Sequence, residues 1–189
     1  MTTKEQILSL LKVVNREGMD DLIQFLQESD YFTAPASAKY HSAHEGGLAE
    51  HSLHVFNLLE FNAEIPGAPY ICEQSRIITA LLHDLCKVNF YKLEEAWRKD
   101  ANNRWEKYTR YGYNDQEPLG HGEKSVIIAQ QFIPLTPQEV LMIRWHMGFS
   151  VNHSDYMTLN NAIKKEPGII LLHTADLEAT YLLEDRDNA

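Results

Sequence analysis

Ile77-Ile-Thr-Ala-Leu-Leu-His83-Asp84-Leu-Cys86 carries the strongest structural signal in this chain. Positions 77, 78, 81, 82 and 85 are all Ile or Leu at helical spacing, which predicts a buried helix over 70–86. His83 and Asp84 then fall at the C-terminal end of an apolar helix. There the helix dipole and desolvation both oppose a carboxylate, so a positive partner has to offset the cost.

The same period runs through nearly all of the sequence, without internal repeats or low-complexity tracts. Further helices are expected from a Thr3/Gln6 capping box to near Gly18, and over 20–27, 48–62, 122–132, 137–147, 156–165 and 168–184. Thr136, Pro137 and Glu139 supply an N-cap, a first-turn proline and a capping-box acid for the 137–147 helix. The segment 31–47, with Pro35, Gly46 and Gly47, reads as a loop. The expected fold class is all-α.

One stretch departs from this pattern. Over 88–118, Trp105, Lys107, Thr109, Tyr111 and Tyr113 alternate at period two after the turn candidate Asn102-Asn103, which predicts a small hairpin or loop insertion placed to act as a lid. At 189 residues the chain is expected to be one domain over 1–189, with N-terminal helices in 1–30, a core in 40–183 and the insertion in 88–118.

Seventeen basic against 27 acidic residues give a net charge of −10, which disfavours binding to long nucleic acid, where phosphate neutralisation supplies the affinity. A small anionic substrate in a local cationic pocket stays compatible with that balance. Cys72 and Cys86 are too few for a disulfide framework or a finger-type thiolate zinc site. With no secretory signal pattern and no apolar run long enough to cross a bilayer, the expected location is the cytoplasm, away from membranes.

Nine histidines form the unusual part of the composition. His51 shares a helical face with Leu48, Val55 and Leu58, His121 opens a helix, His146 ends one, and Asp176 lies one turn beyond His173 within an apolar run. Taken singly, each is ordinarily a hydrogen-bonded interior residue. Together His51, His83, Asp84, His121, His146 and Asp176 put four imidazoles and two carboxylates on separate helices, the way helix bundles build metal sites. Imidazole with carboxylate suits divalent Fe, Mn, Ni, Co or Zn, and one bridging aspartate can hold two such ions per chain.

The order His, His-Asp, His, His, Asp resembles the HD-domain metal-dependent phosphohydrolase superfamily, in its stand-alone bacterial form. Glu45-Gly-Gly-Leu-Ala-Glu-His51-Ser-Leu, Leu82-His-Asp-Leu-Cys-Lys87 and Gly120-His-Gly-Glu-Lys-Ser125 carry the likeness, which spans 40–183. The resemblance implies an HD-type helical bundle in which His51, His83, Asp84 and Asp176 hold one metal. His121 and His146 match the additional histidines of members with a second metal, Asp84 bridging. Asp84 and Lys87 are the implied catalytic pair, Lys87 contacting phosphate, and the implied reaction is hydrolysis of a phosphomonoester or phosphodiester by metal-activated water. The first His-Asp helix is also similar to the HD portion of a bacterial 3'-to-5' exoribonuclease, but this chain has no room for that enzyme's OB domain.

Two other chemistries belong to the same resemblance: a mixed-valence di-iron oxygenase and a nucleotide-binding sensor without turnover. Trp97, Trp105, Tyr108, Tyr111 and Tyr113 interleave with Arg98, Lys99, Arg104, Lys107 and Arg110, a composition that can stack a base and hold phosphates, seal an oligomer contact or fill the hairpin's own core. The expected partner is therefore a small phosphorylated substrate, a nucleotide among the candidates. Lys124 and Ser125 read equally as phosphate contacts or helix surface, His44 as pocket or plain loop, His173 as a residue that orients a ligand, and His41, His54 and His153 as surface residues.

Overall fold

Thr2 opens the first helix: its hydroxyl accepts the Glu5 amide and Glu5 reaches back to the Thr2 amide, so the capping box sits one residue before the expected Thr3/Gln6 pair. A carboxylate at the third helical position gains from the helix dipole where a neutral amide does not, which favours this register. In a computed structural model that describes residues 1–184, eight α-helices follow in the order α1 (Thr3–Lys12), α2 (Met19–Glu28), α3 (Gly47–Ala63), α4 (Glu73–Leu82), α5 (His121–Gln130), α6 (Pro137–Trp145), α7 (Tyr156–Lys165) and α8 (Gly168–Glu178). The last five residues of the expected domain, 185–189, lie outside the described residues.

The all-α expectation is corrected. Between α4 and α5 the chain forms β1 (Tyr91–Lys99) and β2 (Trp105–Tyr113), nine residues each, paired antiparallel in full register from Tyr91 opposite Tyr113 to Lys99 opposite Trp105. The architecture is a helical body with a two-stranded sheet, a mixed α/β content. Cross-strand charge pairs explain why so exposed a ribbon keeps its register: Arg98 meets Glu106 at 2.5 Å, Arg110 meets Glu94 at 2.9 Å, and Lys107 reaches Glu95 diagonally at 2.5 Å. In the connection, Asp100 Oδ1 accepts the amides of Asn102 and Arg104, and Asn103 adopts the left-handed conformation that Asn tolerates.

α3 runs through the centre, packed against α4 and α8, with α1 over it and α5 against α6. Its burial is nearly all-round, from Leu48 to Leu59, which is why no single polar face shows in its sequence. Glu139 closes the capping box of α6 as expected from Thr136-Pro137, and it also accepts from both terminal guanidinium nitrogens of Arg16 (2.6 and 3.0 Å) and from the Ser75 hydroxyl (2.7 Å). This buried carboxylate ties the α1–α2 link to α4 and α6. Among the described residues no helix is long and apolar enough to cross a membrane.

Candidate metal centre

α4 ends at Leu82, earlier than the expected Cys86, and the chain tightens into a 3₁₀ turn over Leu85–Lys87. The Tyr31 hydroxyl donates to the Leu81 carbonyl at 2.8 Å, satisfying one of the orphan acceptors of the helix end. The Cys86 amide donates to Ser125 Oγ at 3.0 Å, which pins the turn against α5. Gly122 lets α5 approach α6: a Cβ there would lie 2.2 Å from the Arg144 carbonyl oxygen. The His121 and His146 rings consequently lie 5.2 Å apart.

All six sequence-predicted residues meet at this junction. His51 comes from α3, His83 caps α4, Asp84 follows it, His121 begins α5, His146 caps α6 and Asp176 lies on α8. Three of the imidazoles are held through Nδ1. His83 Nδ1–H donates to the Ala80 carbonyl (2.8 Å), His146 Nδ1–H to the Ile143 carbonyl (2.7 Å) and His51 Nδ1–H to Glu184 Oε1 (2.8 Å). Because a carbonyl or a carboxylate only accepts, these bonds fix the proton on Nδ1 and turn Nε2 inward, the arrangement that outer partners impose on metal-binding histidines.

The two oxygens of Asp84 divide the cluster. Oδ2 faces Lys87 Nζ (2.5 Å), His83 Nε2 (3.5 Å) and His51 Nε2 (3.6 Å), while Oδ1 accepts from His121 Nε2 (2.7 Å) and lies 3.6 Å from His146 Nε2. Asp176 Oδ1 is 3.2 Å from His51 Nε2, and the His51 and His83 Nε2 atoms are 3.3 Å apart. His146 is fully buried, yet its Nε2 has no hydrogen-bond partner. A buried, unpaired acceptor aimed at a carboxylate is costly unless a cation completes it. The groups His51/His83/Asp84, His83/His146/Asp176 and Asp84/Cys86/His121 each bring donor atoms within 4.8 Å of one another, so these buried His and Asp residues can hold a metal ion.

Electrostatics agree with a concentrated charge cluster. Burial alone would raise the pKa of Asp84, but Lys87, His83 and the hydrogen bond from His121 hold it well below the carboxylate range. Burial opposes the charge on His51, yet Asp176 and Glu184 outweigh it and raise its pKa to about 9. For Asp176 and Glu184 burial is likewise outweighed, chiefly by His51, and both are lowered. Burial, only partly offset by Asp84, lowers His83. Lys87 is raised, since its pairing with Asp84 exceeds the cost of burial. This ammonium is the positive partner that a carboxylate at the end of α4 requires.

Of the remaining residues, Lys124, Ser125, His41 and His54 are buried or half-buried, while His44, His153 and His173 each match a reading of the sequence. Lys124 and Ser125 are buried, not on the helix surface: Lys124 Nζ donates to Asp115 at 2.9 Å and lies 5.6 Å from the centre of the Phe90 ring, while Ser125 holds the Cys86 amide. His41 is half-buried with its ring 5.0 Å from that of His51, and burial lowers its pKa to about 4. His54 Nδ1–H donates to Glu184 Oε1 at 3.3 Å. His44 is exposed beside Glu50, and His153 is exposed beside Tyr156. His173 donates through Nδ1 to the His146 carbonyl at 2.8 Å, fixing the backbone that carries a candidate ligand.

Glu184 is a site residue that the helical spacing of the sequence does not announce. α8 gives way to a π-helical turn over Ala179–Leu183, and this wider turn brings Glu184 under His51. Beside the cluster, Cys86, Lys87, Tyr91, His121 and Lys124 line a cavity of about 160 Å³. A second cavity of about 730 Å³ lies between β2 and the 38–43 segment, with Lys39, Arg98, Tyr108, Arg110 and Tyr111 in its wall. Trp97 and Trp105 stand exposed on the ribbon. Compared with family models, with curated proteins and with solved structures, the chain finds no match.

Proposed function

We propose that this chain is a metal-dependent phosphohydrolase of the HD type, cleaving a phosphomonoester or phosphodiester of a nucleotide or another small phosphorylated metabolite. The observation that carries this reading is the junction itself: three imidazoles locked through Nδ1, a fully buried His146 Nε2 with no partner, and one carboxylate whose two oxygens face different histidines. In this reading His51, His83, Asp84 and Asp176 would hold one divalent transition metal ion, and His121 and His146 would hold a second across Asp84. Bound ions of this kind supply Lewis acidity and lower the pKa of water enough for nucleophilic attack near neutral pH.

The chain's own residues supply position and charge. Glu184 and the Ala80 and Ile143 carbonyls keep the three Nε2 atoms facing inward, so little reorganisation is needed on binding. Lys87 brings a permanent ammonium to the Asp84 edge, where it can neutralise a phosphoryl oxygen. The 160 Å³ cavity beside Lys87 and Lys124 suits a phosphate group, and the aromatic and cationic wall of the larger cavity supports a base-bearing substrate. Arg98 and Arg110 are already paired with Glu106 and Glu94, so Lys39 is the more available cation there.

The test is phosphate release from a panel of nitrophenyl mono- and diesters and nucleoside monophosphates, using chelator-stripped protein reloaded separately with Mn, Fe, Co, Ni or Zn. Turnover should require metal and fall by at least about a thousandfold in Asp84→Ala, the scale expected when a bridging ligand is lost. A fully active Asp84→Ala protein overturns the proposal. Oxygen uptake by the iron-loaded protein, without phosphate release, supports the oxygenase chemistry in its place.

A further inference from the structure

Cys86 belongs to none of the six predicted positions, yet it stands inside the cluster. Its amide is fixed by Ser125, its side chain is buried, and its Sγ lies 3.3 Å from His121 Nδ1 and 3.7 Å from His121 Nε2. His121 Nε2 is in turn 2.7 Å from Asp84 Oδ1. Ligands bound to one ion at about 2.0–2.3 Å lie roughly 3–4.5 Å from one another; the 3.7 Å between Cys86 Sγ and His121 Nε2 falls in that range, the 2.7 Å hydrogen bond from His121 to Asp84 has to open by a few tenths of an ångström, and all three donors lie within 4.8 Å of one another. The thiol is not an isolated feature. The unpartnered, fully buried His146 Nε2 faces the same oxygen, Asp84 Oδ1, at 3.6 Å.

Resting on the metal reading above, we propose that Cys86 is a thiolate ligand on the Oδ1 side of Asp84, together with His121. Forming the sulfur–metal bond breaks the Sγ–H bond and releases its proton to solvent, with no change in oxidation state. A thiolate among imidazole and carboxylate donors biases this position toward Zn, Fe or Co and against Mn or Mg. The Oδ2 side, with only nitrogen and oxygen donors, lacks that bias, so the two positions differ in the metals they select.

Cobalt(II) substitution tests this without any activity assay, because thiolate-bound cobalt has a near-ultraviolet charge-transfer band that imidazole- and carboxylate-bound cobalt lacks. The chain has only two cysteines, and Cys72 sits half-exposed before α4, donating to the Ser75 hydroxyl. The expected result is a charge-transfer band in the wild type that persists in Cys72→Ser and disappears in Cys86→Ser. Should Cys86→Ser fail to fold, the band's persistence in Cys72→Ser still assigns it to Cys86. Retained cobalt with visible ligand-field bands but no charge-transfer band overturns the thiolate ligand while leaving the metal site standing. Failure to retain cobalt overturns both.

Discussion

Replacing Asp84 with Asn removes one charge from a carboxylate that faces Lys87 and four histidines, while preserving its shape. In the metal-free protein the principal loss is the pairing with Lys87, whose Nζ lies 2.5 Å from Asp84 Oδ2, with side-chain exposures of 12% and 3%. His121 can still donate to the amide oxygen, and His51 keeps Asp176 and Glu184. Breaking a buried pair by removing one partner costs about 3–5 kcal/mol, and the residual exposure of Lys87 puts this case near 3 kcal/mol. Lys87→Met in the same background removes the stranded ammonium, and exchange of a buried pair for packed neutral groups is nearly neutral. The double variant should therefore lie within about 1 kcal/mol of wild type. Urea unfolding in the presence of a chelator, with equal m-values for all three proteins, measures both differences. A metal-free Asp84→Asn protein as stable as wild type, or a double variant no more stable than the single, would show that the Asp84–Lys87 pair does not carry the charge balance of the site.

The metal-free protein should also be most stable near pH 6.5. His51 is raised from 6.5 to about 9, so its contribution is complete below pH 6.5 and disappears as the pH rises through 9, a change of about 3 kcal/mol. His41, lowered to about 4, and His83, also lowered, act on the other side: their contributions are lost as the pH falls below 6.5. Urea midpoints measured in chelator from pH 5 to 9 test this, and a flat profile between 6.5 and 9 contradicts it. Glu139→Gln should cost about 3 kcal/mol because it strands the Arg16 guanidinium, whose side chain is 14% exposed. A loss below about 1 kcal/mol in urea unfolding would show that Arg16 finds solvent instead.

α4 is legible from the helical spacing of its apolar residues, whereas α3, buried nearly all round, shows no single polar face. The apolar run before His83 predicts burial, and α7 lies at the expected residues 156–165. His51 and Asp176 are legible as polar residues inside apolar stripes and His83-Asp84 as a pair closing an apolar helix, whereas His121 and His146 stand at helix ends and enter only as members of the set. Strand content was harder to weigh: β1 and β2 are exposed on both faces for most of their length, so burial leaves little alternation and cross-strand ion pairs carry the register. Glu184 escaped because its approach depends on a π turn, and a helix extrapolated at 3.6 residues per turn puts it elsewhere. The i,i+3 spacing of His51 and His54 puts both on one side of α3, where both bond the same Glu184 oxygen. Cys86 gave no signal, because a small buried thiol looks like any other core residue until its neighbours are known.

Metal content bears on all of this at once. Elemental analysis of untagged protein purified without chelators should give about two equivalents of transition metal per chain, falling to well below one in Asp84→Ala, as expected of a carboxylate shared between two ions. A wild-type protein that holds no metal, even after reconstitution with each candidate ion, would contradict the account and leave the buried His146 Nε2 to be explained in another way.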